Sequence, residues 1–107
     1  MVVGNLQLSL YVAESRSLKE KRRAVRKIKD KMRNQFNVSI AEVGKNDDWK
    51  RIHLGVSAVG NEEGFVRSEL DRVLRAIEGL YVAQVLRHQL DLVHYHADDF
   101  VGLEPNP

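Results

Sequence analysis

Residues 2–33 read VVGNLQLSLYVAESRSLKEKRRAVRKIKDKMR. The spacing of their apolar side chains changes between Val12 and Ser17, from that of a β-strand to that of a helix. Up to Val12, apolar and polar side chains alternate with a period of two, which predicts a β-strand with one buried face. Ser17 and Glu20 then fit a capping box, in which the serine oxygen accepts a backbone N–H and the glutamate reaches back. Apolar residues recur at helical spacing after this box, so we expect an amphipathic helix that ends near Asn34 or Gln35.

The rest of the chain contains three further strands and a second helix. Alternation predicts strands over residues 36–43 and 51–59, and residues 82–95 form a fourth, less regular strand. Between the third and fourth strands, an apolar stripe predicts a helix that is capped by Asn61 and ends at Gly79. The predicted element order is therefore β-α-β-β-α-β.

This order predicts an α+β, ferredoxin-like sandwich: a four-stranded antiparallel sheet, in the order 4-1-3-2, with both helices on one face. The 107 residues suffice for one such domain, which we place at residues 1–96, followed by an acidic, flexible tail at residues 97–107. The absence of cysteine excludes disulfides, thiolate catalysis and cysteine-ligated metals. No apolar run is long enough to span a membrane, so we expect a cytoplasmic protein.

Several short motifs lie in register with these elements: SLKEKR at 17–22, Asn34, FNVS at 36–39, AEV at 41–43, DW at 48–49 and LG at 54–55. Together they resemble the YlxP-like family of small bacterial proteins, a domain of unknown function. The resemblance implies a ferredoxin-like fold and a bacterial cytoplasmic protein that is encoded near translation-initiation and ribosome-maturation factors. It supplies no activity, substrate or catalytic residue.

The first helix carries most of the positive charge of the chain. Residues 16–33 hold ten of the 17 basic residues and two acids, a net charge of +8, whereas the whole chain carries +2. A row of Arg and Lys side chains can match the spacing of phosphate groups along a nucleic acid, and their binding releases counterions from those phosphates. We therefore predict that this helix binds ribosomal RNA or the ribosome, in translation or small-subunit maturation. The predicted phosphate contacts are Lys19, Arg22, Arg23, Arg26, Lys29 and Arg33.

Two other interpretations of this helix stay open, namely a merely solvated charged face and a surface for an acidic protein. Like charges at i,i+4, such as Arg22 and Arg26, cost about 0.2–0.5 kcal/mol each, which argues against a helix built only for stability. The second helix, by contrast, mixes three basic residues with five acidic ones. Lys21 lies within the apolar arc, where we expect its stem to be buried and its ammonium to snorkel to water.

The uncovered face of the sheet is a second candidate surface. Only Tyr11 and His53 offer rings for base stacking there, and the third strand lacks the glycine-aromatic pattern of RNA-recognition domains. A face of small, mildly apolar residues suits a protein partner. The alternative function is therefore a homodimeric interaction or regulatory module. Its candidate interface residues are Tyr11, Trp49, His53 and Val59.

We predict no catalytic residue, metal, cofactor or small-molecule substrate. Acylphosphatases share this fold and use an arginine and an asparagine, so Arg16 with Asn37 or Asn46 leaves such a hydrolase as a second alternative. The loop before the first helix has no glycine with which to cradle a phosphate, which argues against that activity. His94 and His96 could bind a transition metal weakly, but no third ligand is set by their spacing.

Overall fold

The computed structural model describes residues 1–44 and 47–105, which form one four-stranded antiparallel sheet, two long helices and a short third helix. The elements are β1 (Val2–Tyr11), α1 (Leu18–Gln35), β2 (Ser39–Glu42), β3 (Arg51–Gly60), α2 (Glu63–Gly79), β4 (Gln84–His94) and α3 (Ala97–Val101). The strand order β2-β3-β1-β4 places β1 and β3 in the centre. The predicted ferredoxin-like α+β fold and strand order are therefore confirmed.

The core lies between one face of the sheet and the helices α1 and α2. Leu6, Leu8 and Leu10 alternate along β1 and are almost fully buried on this face. Each such side chain contributes about 1.5–3 kcal/mol when it is removed from water. Ile28 of α1 and Leu70 of α2 are fully buried in the same cluster. The opposite face of the sheet carries no helix among the described residues, so its side chains are free to form a surface.

The ends of the helices agree with the capping prediction at α1 and differ from it at α2. The Ser17 hydroxyl accepts the N–H of Glu20 at 3.1 Å. The carboxylate of Glu20 accepts the N–H of Arg16, one residue before the cap. At α2 the N-cap position is Glu62, and no side chain caps the helix. The prediction of Asn61 as the cap is wrong, because Asn61 lies one residue outside the cap position.

Lys21 is buried, so the prediction that its ammonium snorkels to water is wrong. Its side chain is 1% exposed, and its Nζ lies 3.4 Å from a carboxylate oxygen of Glu42, whose side chain is 17% exposed. Lys21 shares the buried face of α1 with Val25 and Ile28. Because this face packs against β2, the ammonium meets the carboxylate of that strand instead of solvent.

The C-terminal segment begins beside the end of the sheet. Met1 and Tyr95 exchange two hydrogen bonds of 2.8 Å, which extend the β1–β4 pairing by one residue. The predicted tail, residues 97–107, begins with α3, and its last two residues lie outside the described ones. Within the described ranges, no helix is both long and apolar enough to cross a membrane.

Candidate nucleic-acid interface

The basic row of α1, which we define as Arg22, Arg26, Lys29 and Arg33, lies on one flank of the helix. At about 100° per residue, these positions cluster about 100° from the buried stripe. The row extends along about 16 Å of the helix axis. The guanidinium of Arg33 donates a 3.1 Å hydrogen bond to the carbonyl of Ile40 in β2. The row therefore runs along the side of α1 that faces the edge strand of the sheet.

Most of the predicted phosphate contacts are exposed. Arg22 and Arg26 are exposed, whereas Lys29 is partly buried. Lys19 and Arg23, on the outward side of α1, are exposed as well. Arg33 is exposed but holds the edge strand through Ile40, so it also has a structural role. Because a guanidinium has five N–H donors, this bond leaves others for a ligand.

The cations of the row form no ion pair with any described residue. Glu20 is occupied at the start of α1 by the backbone N–H of Arg16, and Asp30 pairs with none of the described cations. On α2 the pattern is the opposite: Arg72 lies 2.6 Å from Glu69, and a second pair joins Arg67 to Glu63 at 3.7 Å. The charge of the basic row is therefore uncompensated among the described residues, whereas two of the three arginines of α2 are paired with acids.

A depression of about 440 Å³ lies on the other flank of α1, beside the α2–β4 connection. It is lined by Arg23 and Lys27 from α1 and by Tyr81 from the connection. Tyr81 is 91% exposed and has a φ of 53°, in the left-handed region that disfavours side chains. Sequence reasoning missed Tyr81, because nothing in its local pattern signals this backbone conformation.

One half of the open sheet face is a polar groove of about 560 Å³. The strand register places Ser9 of β1 between His53 of β3 and Arg87 of β4. At the mouth of the groove, the guanidinium of Arg51 lies 6.0 Å from the centre of the Tyr11 ring. Arg87 was missed from sequence, because the fourth strand is irregular. A register shift beside Ser9 changes which of its residues point outward.

The other half of the open face is apolar. Val3 lies between Val59 and Val93 in the strand register, and Val59 is 60% exposed. Met1 and Tyr95 extend this apolar end, which we define as Met1, Val3, Val59, Val93 and Tyr95. The predicted protein-interface residues therefore do not form one patch. Tyr11 and His53 lie in the polar half of the face, and about 26 Å of strand separates Tyr11 from the level of Val59. Trp49, before β3, is 50% exposed.

The residues named for a hydrolase do not form a site among the described residues, and one histidine named for a metal site contacts a carboxylate instead. Arg16 and Asn37 are exposed, and Asn46 lies outside the described residues. The imidazole of His94 lies 3.1 Å from the carboxylate of Glu63, in the first turn of α2. In the described ranges, no three His, Asp or Glu side chains are grouped so that they could hold a metal ion.

These features define a small ferredoxin-like protein with a cationic helix on one side of its sheet and an open face on the other. The chain belongs to the family described as "Protein of unknown function (DUF503)", whose model matches residues 3–90. It is 36% identical over 77 residues to "Uncharacterized protein YlxP" of Bacillus subtilis (strain 168), which covers 72% of this chain and 84% of that protein. The resemblance to the YlxP-like family is thereby confirmed.

A solved structure of similar fold is "De novo designed protein Foldit4". Its TM-score is 0.50 at 13% identity, and the match covers 89% of this chain and 98% of that one. At this identity the similarity supports the fold alone.

Proposed function

We propose that α1 binds the phosphate backbone of RNA through its basic row, with Lys19 and Arg23 as flanking contacts. The observation that carries the proposal is the set of cations that have no acidic partner among the described residues. Five i,i+4 pairs of like charge in α1 cost about 1–2.5 kcal/mol of helix stability. Phosphates along the row would relieve the repulsion in the two pairs that lie within it, Arg22–Arg26 and Lys29–Arg33. The helix therefore gains more from a polyanion than from water.

Ribosomal RNA is the specific ligand that we propose, in translation or maturation of the small subunit. This narrower assignment rests on the family resemblance, whereas the binding of phosphates rests on the charge and exposure of α1. The protein acts as an accessory binding factor in this proposal and not as an enzyme. Arginines suit the role because their planar guanidinium can contact a phosphate with two hydrogen bonds.

The test compares wild-type protein with R22E/R26E in binding to small-subunit ribosomal RNA and to assembled subunits, between about 50 and 200 mM salt. The matched control is R67E/R75E, which makes the same change of charge on exposed positions of α2. We expect R22E/R26E to lower the affinity steeply and to reduce the slope of log K against log salt by about 1.5. The control variant should retain most of the wild-type affinity and most of the wild-type slope.

Equal losses of affinity in R22E/R26E and in the control would show that binding depends only on the net charge of the protein. Unchanged affinity in R22E/R26E would show that α1 is a solvated surface. Either result would overturn the proposal. Binding to free RNA that equals binding to subunits would remove the ribosomal part and keep the phosphate part.

A second candidate function, a homodimeric interaction module, is favoured by the apolar end of the open face. Val59 is 60% exposed, Val93 40%, and Tyr95 54%. Val59 of β3 and Val93 of β4 lie on either side of Val3 in β1, and Tyr95 follows the end of β4. Exposed apolar residues grouped in this way are typical of protein interfaces. We expect wild-type protein to be dimeric and Val59→Asp to be monomeric in light scattering after size exclusion. A monomeric wild type at high concentration would refute this candidate.

A further inference from the structure

The polar groove on the open face lies on the side of the sheet opposite α1, and the proposed function does not use it. Its walls come from β3 and β4, which do not touch each other because β1 lies between them. Arg51 from one wall and Arg87 from the other give it two guanidinium groups. Among the described residues that line it there is no carboxylate. The groove is therefore cationic at neutral pH, even though α1 is remote.

The groove also presents amides that can both donate and accept hydrogen bonds. Gln7 and Gln89 face each other across the β1–β4 pair. The Oε1 of Gln7 lies 3.2 Å from the Nε2 of His53, which leaves its amide nitrogen without a partner among the described residues. The amide nitrogen of Gln89 donates to Asp91 at 3.2 Å, at the margin toward the apolar end. Both side chains are exposed, and their free polar atoms can reach a ligand.

We propose that this groove binds an unpaired nucleotide of single-stranded nucleic acid. The arginines contact its phosphates, and the amides of Gln7 and Gln89 contact the edge of its base. A volume of about 560 Å³ lies within the range of small-molecule sites, about 300–1,000 Å³, and a nucleotide is a ligand of this size. The Tyr11 ring lies 6.0 Å from the guanidinium of Arg51, a cation–π distance that favours this position of the guanidinium.

A nucleotide explains the groove better than a second copy of the chain does. The groove of a second copy would bring two more arginines, and like charges across an interface oppose association. The apolar end, which suits a copy, lies at the other end of the same face. The inference goes beyond the proposed function, because α1 and the groove lie on opposite sides of the sheet and neither needs the other to bind.

The test uses fluorescence anisotropy with a labelled twelve-nucleotide oligouridine and a labelled RNA duplex of the same length. The variants are R51Q/R87Q in the groove, R22E/R26E in α1 and R67Q/R75Q on α2 as the matched control. We expect R51Q/R87Q to weaken binding of the single strand by at least about tenfold, because two charge-assisted contacts are lost. The same variant should leave the duplex affinity within about twofold of wild type.

R22E/R26E should weaken binding of the duplex, because the phosphates of the duplex contact the basic row. Because R51Q/R87Q leaves the duplex affinity nearly unchanged, failure of the groove and failure of α1 are distinguishable. A second measurement titrates uridine monophosphate into wild-type protein and follows the side-chain amide resonances of Gln7 and Gln89 by NMR. We expect both to shift. The proposal is overturned if R51Q/R87Q binds the single strand as well as wild type does, or if the amide resonances of Gln7 and Gln89 do not shift. It is also overturned if R51Q/R87Q changes only the oligomeric state, or if polyglutamate binds the groove as well as oligouridine does.

Discussion

Lys21 and Glu42 form a buried ion pair, and removal of one member should lower the free energy of unfolding more than removal of the other. Removal of the carboxylate by Glu42→Leu leaves an ammonium that is 1% exposed. Loss of one partner from a buried ion pair costs about 3–5 kcal/mol, because the remaining charge stays desolvated. Removal of the ammonium by Lys21→Met leaves a carboxylate whose side chain is 17% exposed and can be partly hydrated. Methionine also keeps the apolar stem, so we expect a cost of about 1–2 kcal/mol.

The double variant K21M/E42L should recover most of the loss. Neither charge is buried in it, and replacement of a buried pair by apolar side chains is neutral or stabilising in many proteins. For a domain of this size, about 1 kcal/mol corresponds to about 4–8 °C in the melting temperature. We therefore expect E42L to melt at least about 12 °C below wild type, K21M roughly 4–16 °C below it, and the double variant close to wild type.

Urea unfolding followed by circular dichroism measures the three free-energy differences, and an unchanged m-value shows that the unfolded states are comparable. The double-mutant cycle then gives the coupling between the two side chains. Equal losses in the two single variants would refute the argument from unequal burial. A double variant whose loss is the sum of the single losses would refute the pairing itself.

Three further predictions concern packing, backbone strain and helix charge. Gly4→Ala should lower the free energy of unfolding by about 1–3 kcal/mol, because its Cβ would lie 2.5 Å from a methyl group of Val66 and 2.6 Å from one of Leu70; a denaturation midpoint equal to that of wild type would contradict this. Tyr81→Gly should raise stability by up to about 1 kcal/mol in urea unfolding, because glycine removes the cost of the left-handed conformation; a clear loss would show that the Tyr81 side chain makes a stabilising contact. Lys27→Glu should raise the melting temperature by about 2–8 °C, because it makes two repulsive i,i+4 pairs attractive, with Arg23 and Lys31, and makes one attractive i,i+3 pair repulsive, with Asp30; a melting temperature at or below that of wild type would show that repulsion within α1 is negligible.

The element order was predictable because each element repeats a local signal over many residues. The alternation along β1 and the apolar arc of α1 each extend over at least ten positions, so single exceptions do not obscure them. The ends of elements were less predictable. β2 begins at Ser39 instead of residue 36, because pairing with β3 starts only there. The cap of α2 differs from the prediction for a similar reason, since the preceding strand continues to Gly60.

The candidate surfaces were predictable to different degrees. The charge of α1 could be read directly, because residues three or four apart on a helix are neighbours in space. The grouping of side chains on the open face could not be predicted in this way, because residues that are neighbours there come from different strands. Tyr11 and His53 were identified from β1 and β3, but the role of Arg87 depends on the register shift in β4.

The amino-acid order alone determined the class of fold, the position of both long helices and the cationic character of α1. These properties depend on periodicity and composition within one element. Tertiary structure determined which distant residues lie together. It pairs Lys21 of α1 with Glu42 of β2, and it places Arg51 and Arg87 on opposite walls of one groove. It also separates the open face into a polar groove and an apolar end. These contacts depend on strand register, and a shift of one residue in the register turns every side chain of a strand to the other face of the sheet.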